Sequence, residues 1–394
     1  MNGPLGGVTR APVRVALVTP RFPPEVGGLE GYVGRVAEWL QASDRFDVSV
    51  ITSGRSARLS RESHRGIPVY RLGTWTTVSN TPVNPLWATQ LPRLLRRLGV
   101  DVVNAHAPVP GLADLAAFSS PVPVVLTYHA GSLVKGDHPV DPMLRRYERH
   151  VLPQVFDRCQ DLIAVSPVSL AYATGRAHLI PPGVDTDLFT PSATPASRAP
   201  TVLYVGRVER TSRWKGLQVL LAGLPRLRHL VPDVRLVVVG DGDDVPHLRA
   251  AAQRLGVAEA VEWRGAVPHA DLPRHYREAG VTVLPSLTEA ESFGMTLIEA
   301  MACGSPVVGS RVGGIPFVVR DGVDGLLVPP GDARSLADAL ARVLTDPAFA
   351  ASLGFAGREA ATKRWDWTHQ RDTTLGVIDG AAGVARARRE RTHG

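Results

Sequence analysis

With 394 residues, 44% of them hydrophobic and 21% charged, the chain has the length of about two globular domains and the apolar content for two cores, which excludes a disordered or fibrous polypeptide. No apolar run reaches the roughly 18 residues of a membrane span, the opening Met1-Asn2-Gly3-Pro4 has no signal-peptide pattern, and the two cysteines, Cys159 and Cys303, form neither a disulfide framework nor a Cys-x-x-Cys metal motif, so a cytoplasmic location is expected. The net charge of +7, mostly arginine, suits a phosphate-bearing ligand, while the lack of basic stretches interleaved with aromatics argues against nucleic acid.

Short β-rich apolar runs alternate with helical patterns from end to end, the signature of parallel βα units. In the first half, strands are predicted at residues 14–20, 47–52, 101–106, 123–129 and 161–166. After the first of them, the tandem Gly27-Gly28 lets backbone amides approach a ligand closely. A tight strand-to-helix turn would use the same glycines without any ligand. The register is not that of a dinucleotide fingerprint, because Gly28, Gly31 and Gly34 are spaced by three. Leu29, Val33, Val36, Ala37 and Leu40 then share one face of a helix that packs on a sheet. Arg93, Arg96 and Arg97 lie on an amphipathic helix with Leu91, Leu94, Leu95 and Leu98; a solvated face is expected, with membrane contact as the alternative. His106 and His129 end strands at the rim of the sheet, where a histidine can donate to a sugar hydroxyl or a developing charge, or serve only structure. Loops 74–80 and 131–138 follow strands and are expected to shape an acceptor pocket. Asp185-Thr186-Asp187 mimics an acidic metal-holding pair, but it follows Pro181-Pro182-Gly183 and reads as a turn.

The stretch 190–200 is rich in Pro, Ser and Ala without periodicity, as a linker is. It divides a domain at 12–189 from a second at 201–366, with 367–394 as a helical tail that can pack back on the first domain. Strands of the second series are predicted at 202–206, 234–240, 261–265, 281–285 and 306–309. Two doubly wound parallel sheets that face each other hold ligands beyond the carboxyl ends of their strands, in the cleft between domains. Arg207 follows the first of these strands, and Lys215-Gly216 opens the next helix. A guanidinium fork with a compact ammonium is the combination that stabilises a departing diphosphate, and it requires no metal. Gly240-Asp241-Gly242 does not complete a dinucleotide fingerprint. Residues 285–304 comprise a strand end, a loop and a helix closed by Gly304. On a continuous helix Glu291 and Glu299 would stand about 80° apart in azimuth and roughly 12 Å apart along the axis, reaching different parts of one extended ligand. Alternatively, Glu291 matches the helix dipole and Glu299 is solvated. The amides near Phe293, Gly294 and Met295, at the helix start, suit a phosphate or a sugar hydroxyl. His269 and His275 have no further ligand at metal-binding spacing.

With these residues assembled, the chain resembles glycosyltransferase family 4, whose members have the GT-B fold of two facing Rossmann-like domains. Its most specific motif is the segment from Glu291 to Glu299 followed by Ala300-Met301-Ala302-Cys303-Gly304. The resemblance implies a retaining transfer of sugar from a UDP- or GDP-sugar to an acceptor hydroxyl, on a small metabolite or a cell-envelope glycan precursor, with no metal or other cofactor. It implies that Arg207 and Lys215 bind the diphosphate, Glu299 the ribose hydroxyls, and that Glu291 faces the donor sugar. It also implies that Gly28 meets the phosphate and acceptor, that His129 contacts the donor sugar near its reactive carbon, and that the nucleobase rests near Gly240 and Arg264. Arg264 and Phe317 depart from the family's usual apolar and acidic residues there. Competing readings are a nucleotide-sugar epimerase on the same fold, a nicotinamide dehydrogenase and a non-catalytic sugar-nucleotide-binding module. The missing Gly-x-Gly-x-x-Gly counts against the dehydrogenase.

Overall fold

The computed structural model describes residues 11–25, 27–78, 81–134, 139–192 and 199–393. Ser79, Asn80 and Lys135 to His138 of the two expected acceptor loops, and 193–198 of the expected linker, lie outside the described residues.

The strands of the first half are β1 Val13–Thr19, β2 Phe46–Ser53, β3 Ser60–His64, β4 Ile67–Leu72, β5 Thr76–Val78, β6 Thr81–Val83, β7 Val102–Ala107, β8 Val124–Tyr128, β9 Asp161–Ala164 and β10 Ala177–Leu179. Among the described residues, all but β5 and β6 form one sheet in the order β10-β9-β8-β7-β1-β2-β4-β3. It is parallel except for β3, and β5 pairs with β6 in a separate hairpin. Val, Leu and Ala predominate in β1, β7 and β8 because helices cover both faces, leaving no solvent side to encode. The second half supplies β11 Thr201–Val205, β12 Arg235–Val239, β13 Val261–Gly265, β14 Val281–Leu284, β15 Val307–Ser310 and β16 Leu326–Val328. These make a wholly parallel sheet in the order β13-β12-β11-β14-β15-β16.

In each sheet the strand order reverses beside the opening strand, between β1 and β7 and between β11 and β14. Such a switch point splays adjacent loops apart and leaves a crevice at the strands' carboxyl ends. The loops after β11 and β14 carry Arg207, Lys215 and Glu291; those after β1 and β8 carry Gly28 and His129. Topology alone thus brings the residues singled out in sequence to facing edges.

Six strands were missed in sequence. β5, β6, β10 and β16 are three residues each, too short to show a period; β3 is a polar, mostly exposed edge that exists through its antiparallel pairing with β4; and β4 itself, Ile67–Leu72, buries Ile67, Val69 and Leu72 without strict alternation. The tail forms a helix, Trp367–His393, that returns to the first domain. Its Leu375, Ile378, Ala381 and Ala382 share a core with Val15, Leu17, Val33 and Val36. Trp367 meets the rings of Tyr32 and Trp39 edge-on. Cys159 and Cys303 are both buried, and neither forms a disulfide among the described residues.

Candidate active site

Arg207 leaves the end of β11 with an exposed side chain and no carboxylate partner among the described residues. Its Nη2 lies 3.3 Å from the point a Cβ on Gly27 would occupy, so it reaches the glycine turn of the opposite domain. Lys215 ends a 3-10 turn, Arg210–Lys215, that Arg213 pins to the buried Asp244 through contacts of 2.7 and 2.5 Å. The Lys215 ammonium donates to Glu291 Oε2 at 3.0 Å and lies 4.5 Å from the centre of the Trp214 ring. What holds it there is Gly216, at φ 78°, where an added Cβ would stand 1.8 Å from the Pro285 carbonyl oxygen. Gly216→Ala therefore has to separate the loops after β11 and β14, and is expected to cost about 2 kcal/mol or more in urea unfolding. A midpoint unchanged from wild type would refute that close approach.

Glu291 does not lie on the helix. The helix is Met295–Ala302, and Gly294, left-handed at φ 101°, caps it. The expected 80° and 12 Å relation to Glu299 therefore does not hold. The chain is held out of helix at Glu291: its N–H donates back to Thr288 O at 3.2 Å, Gly314 N–H donates to its carbonyl at 2.8 Å, and a Cβ on Gly313 would stand 2.1 Å from that same oxygen. Nor does Glu291 serve as a free dipole partner: its carboxylate is buried and accepts from Lys215 and, at 3.2 Å, from the Ser286 hydroxyl.

Glu299 is helical, as expected, but it is not solvated. Tyr276 O–H donates to Oε2 at 2.7 Å, and His269 Nε2 lies 3.1 Å from Oε1. That hydrogen bond raises the His269 pKa against the opposing effect of burial. Each carboxylate oxygen keeps a further lone pair for a ligand hydroxyl. His269, set aside in sequence as a stray metal ligand, is thus a partner of the motif glutamate. No local period pairs them with Glu299, since His269 lies on a 3-10 turn, His269–Asp271, and Tyr276 on the helix Leu272–Glu278 that follows it.

The amides of Phe293, Gly294 and Met295 take no acceptor among the described residues. Only backbone is offered at Phe293, whose ring is buried against Phe317 and Trp365; Phe317 packs there as well. Gly240 is demanded by the fold, since a Cβ would stand 1.8 Å from the Gly206 oxygen, and its N–H is spent on Gly265 O at 2.8 Å. Arg264 is exposed and pairs with Glu262 at 2.7 Å on the edge strand β13.

On the facing domain, a Cβ at Gly28 would meet nothing within 4 Å, so no protein contact requires this glycine. The crowded position is Gly27, where a Cβ would stand 2.3 Å from Glu30 Oε2. His129 Nε2 lies 3.1 Å from Nδ1 of the fully buried His106, with the rings 25° from coplanar and Tyr32 edge-on to both. Burial pushes the His129 pKa down to about 3 and lowers that of His106 as well, helped there by repulsion from His129. Two neutral rings share one proton in this contact, so one donates and the other accepts. Asp185 is a turn residue: it pairs with Arg35 at 2.9 Å and accepts the amides of Asp187 and Leu188.

Between the domains a cavity of about 730 Å³ is lined by Ser132, Arg145, Glu148 and Arg149 on one side and Thr288 and Glu289 on the other. Glu148 is engaged by the Ser132 hydroxyl at 3.0 Å, whereas Arg145 and Arg149 have no carboxylate partner among the described residues.

Two facing doubly wound domains, with a cation pair, a buried carboxylate just before a helix and a cavity between the domains, define a nucleotide-sugar glycosyltransferase of the GT-B class. The chain matches the family models glycosyl transferases group 1 over residues 199–346 and Glycosyltransferase Family 4 over residues 26–188, and it belongs to that family. It is 31% identical over 375 residues to the GDP-mannose-dependent alpha-(1-6)-phosphatidylinositol monomannoside mannosyltransferase of Mycolicibacterium smegmatis, covering 89% of this chain and 94% of that one. To the D-inositol 3-phosphate glycosyltransferase of Acidothermus cellulolyticus it is 31% identical, covering 96% of this chain and 93% of the other. Sucrose-phosphate synthase from Thermosynechococcus elongatus superposes with a TM-score of 0.79 at 26% identity, over 94% of this chain and all of that one. Among the described residues no helix is long and apolar enough to cross a membrane.

Proposed function

We propose that the enzyme transfers a hexose with retention of configuration from a GDP-sugar, GDP-mannose being the first to test, to a hydroxyl of a phosphate-bearing acceptor. The observation that carries the reading is the convergence of Arg207 and Lys215 on one side of the cleft, with Lys215 held by Glu291. Arg207 and Lys215 take the departing diphosphate, Glu299 the ribose hydroxyls, and the amides at Phe293, Gly294 and Met295 the donor sugar or its phosphate. Glu291 and His129 face the sugar, and Gly28 leaves space where donor and acceptor meet. Neutral His129 then acts as a hydrogen-bonding group, since its depressed pKa leaves it no charge to contribute. The choice of GDP is supported by the mannosyltransferase relative, and the anionic acceptor by Arg145 and Arg149 in the adjoining cavity, which take no carboxylate among the described residues.

In this reading the two cations offset diphosphate charge without a metal. Mass-spectrometric screening of GDP-, UDP- and dTDP-sugars, with and without EDTA, tests it. Slow release of GDP from one GDP-sugar, unaffected by EDTA, is expected. Conversion to an epimer without diphosphate release would replace it with the epimerase reading, and strict dependence on a divalent ion would overturn the metal-free step.

A further inference from the structure

From Ser63 to Val100 the chain carries no Asp or Glu, yet it holds five arginines. Two of them are neutralised, Arg65 by Glu38 and Arg71 by Glu62. The other three, Arg93, Arg96 and Arg97, are exposed on the Trp87–Leu98 helix and take no carboxylate among the described residues. The helix is fastened from beneath by Leu91, Leu94 and Leu95. Its outer face is therefore fixed in place and carries positive charge alone.

A solvated face explains the arginines but not their neighbours. Trp75 is 59% exposed and Leu86 45%, the former on the β5–β6 hairpin and the latter at the start of the helix. Trp75 N–H donates to Val83 O at 3.1 Å, and Val83 is itself exposed. Arg93 and Arg97 follow Leu86 by seven and eleven residues, so all three fall on one stripe of the helix. An apolar end beside a cationic run on one continuous surface is the pattern of an interfacial element, with an indole suited to the headgroup boundary. The patch also has a meaningful position. A Cβ at Gly111, in the loop after β7, would stand 3.5 Å from the Trp87 ring and 4.0 Å from Pro82 O. The hairpin and the helix start thus border the carboxyl edge of the first sheet, the edge that faces the cleft.

We propose that this face docks the enzyme on an anionic lipid bilayer, with Trp75 and Leu86 at the headgroup boundary and Arg93, Arg96 and Arg97 over lipid phosphates. Charge complementarity selects the lipid: three uncompensated guanidinium groups meet a uniformly negative surface, while a single aromatic among aliphatic residues gives nucleic acid no stacking platform. The inference stands independently of the donor assignment, because it concerns a face outside the diphosphate and sugar sites.

The test is flotation of the full chain with phosphatidylcholine vesicles with and without phosphatidylglycerol. Binding is expected only when phosphatidylglycerol is present, and it weakens as salt rises. The combined Arg93→Gln, Arg96→Gln and Arg97→Gln variant should bind roughly a hundredfold less, three cations having been removed from the surface. Trp75→Ser with Leu86→Ser should bind less while keeping its salt dependence. Both variants change exposed side chains, so wild-type thermal unfolding confirms that each is folded. Equal binding to both vesicle types, wild-type binding by the arginine variant, or retention on polyuridylate or an acidic protein column without vesicle binding would each overturn the proposal.

Discussion

Arg207→Ala is expected to lower the rate of sugar transfer by about 10²- to 10³-fold while leaving thermal unfolding unchanged. The magnitude is that of removing one preorganised group from the charge developing on a leaving atom. Stability is spared because Arg207 is exposed and takes no carboxylate among the described residues, so its removal orphans nothing. Lys215→Ala is expected to differ in kind. It should lose transfer to a similar degree, but it also strips the buried Glu291 of its cation, and breaking a buried pair from one side costs about 3 kcal/mol. Lys215→Ala combined with Glu291→Gln should regain most of that stability and none of the activity, since the neutral amide no longer needs the ammonium. Steady-state donor consumption and urea midpoints on the variants separate the effects. Near-normal turnover in Arg207→Ala, or a double variant as unstable as the single one, would refute the roles given to the pair.

Much of this site was legible in sequence for a simple reason. Parallel βα units put their loops at one edge, so a residue that directly follows a β-branched run can be placed without knowing its contacts. Arg207 and His129 were placed in that way. Glu299 was identified but misjudged for burial, because its partners His269 and Tyr276 come from a different unit, and pairing between units leaves no local period. Glu291 was put on a helix because nothing before Gly294 forbids one. The Gly313-Gly314 segment that engages the Glu291 carbonyl lies more than twenty residues further along the chain. The requirement for Gly27 rather than Gly28 had the same origin, since it depends on where Glu30 and Arg207 point. His106 lay one step beyond reach: its strand-end position was visible, but its contact with His129 is a product of sheet order, β7 beside β8.

The buried His106–His129 pair predicts the steepest pH dependence of stability, and its sign is fixed. In the unfolded chain a histidine takes up a proton near pH 6.5. In the fold, burial holds His129 neutral down to about pH 3 and depresses His106 too. Between those limits the unfolded state binds more protons, so stability is full above pH 6.5 and is lost as pH falls through this window. The slope rises towards about 1.4 kcal/mol per pH unit per histidine, so one of the two contributes a loss of about 2 kcal/mol between pH 6.5 and 4.5. His269, whose pKa is raised, acts in the opposite sense, its contribution being lost as pH rises through its folded pKa; its exposed side chain makes that effect small. The depressed Asp332 and Asp366 lose their contribution only as pH falls through the ordinary carboxylate range, at the acid end of this window and beyond the range of the urea series below. Urea midpoints measured from pH 4.5 to 7.5 should therefore fall on the acid side, and His129→Gln should flatten that limb. The Cε1 proton of His129 should show no titration above pH 5. Titration of that proton near pH 6.5, or a flat acid limb in the wild type, would mean that the ring is charged in the fold. It would then approach the sugar as a cation instead of as the neutral group assigned to it here.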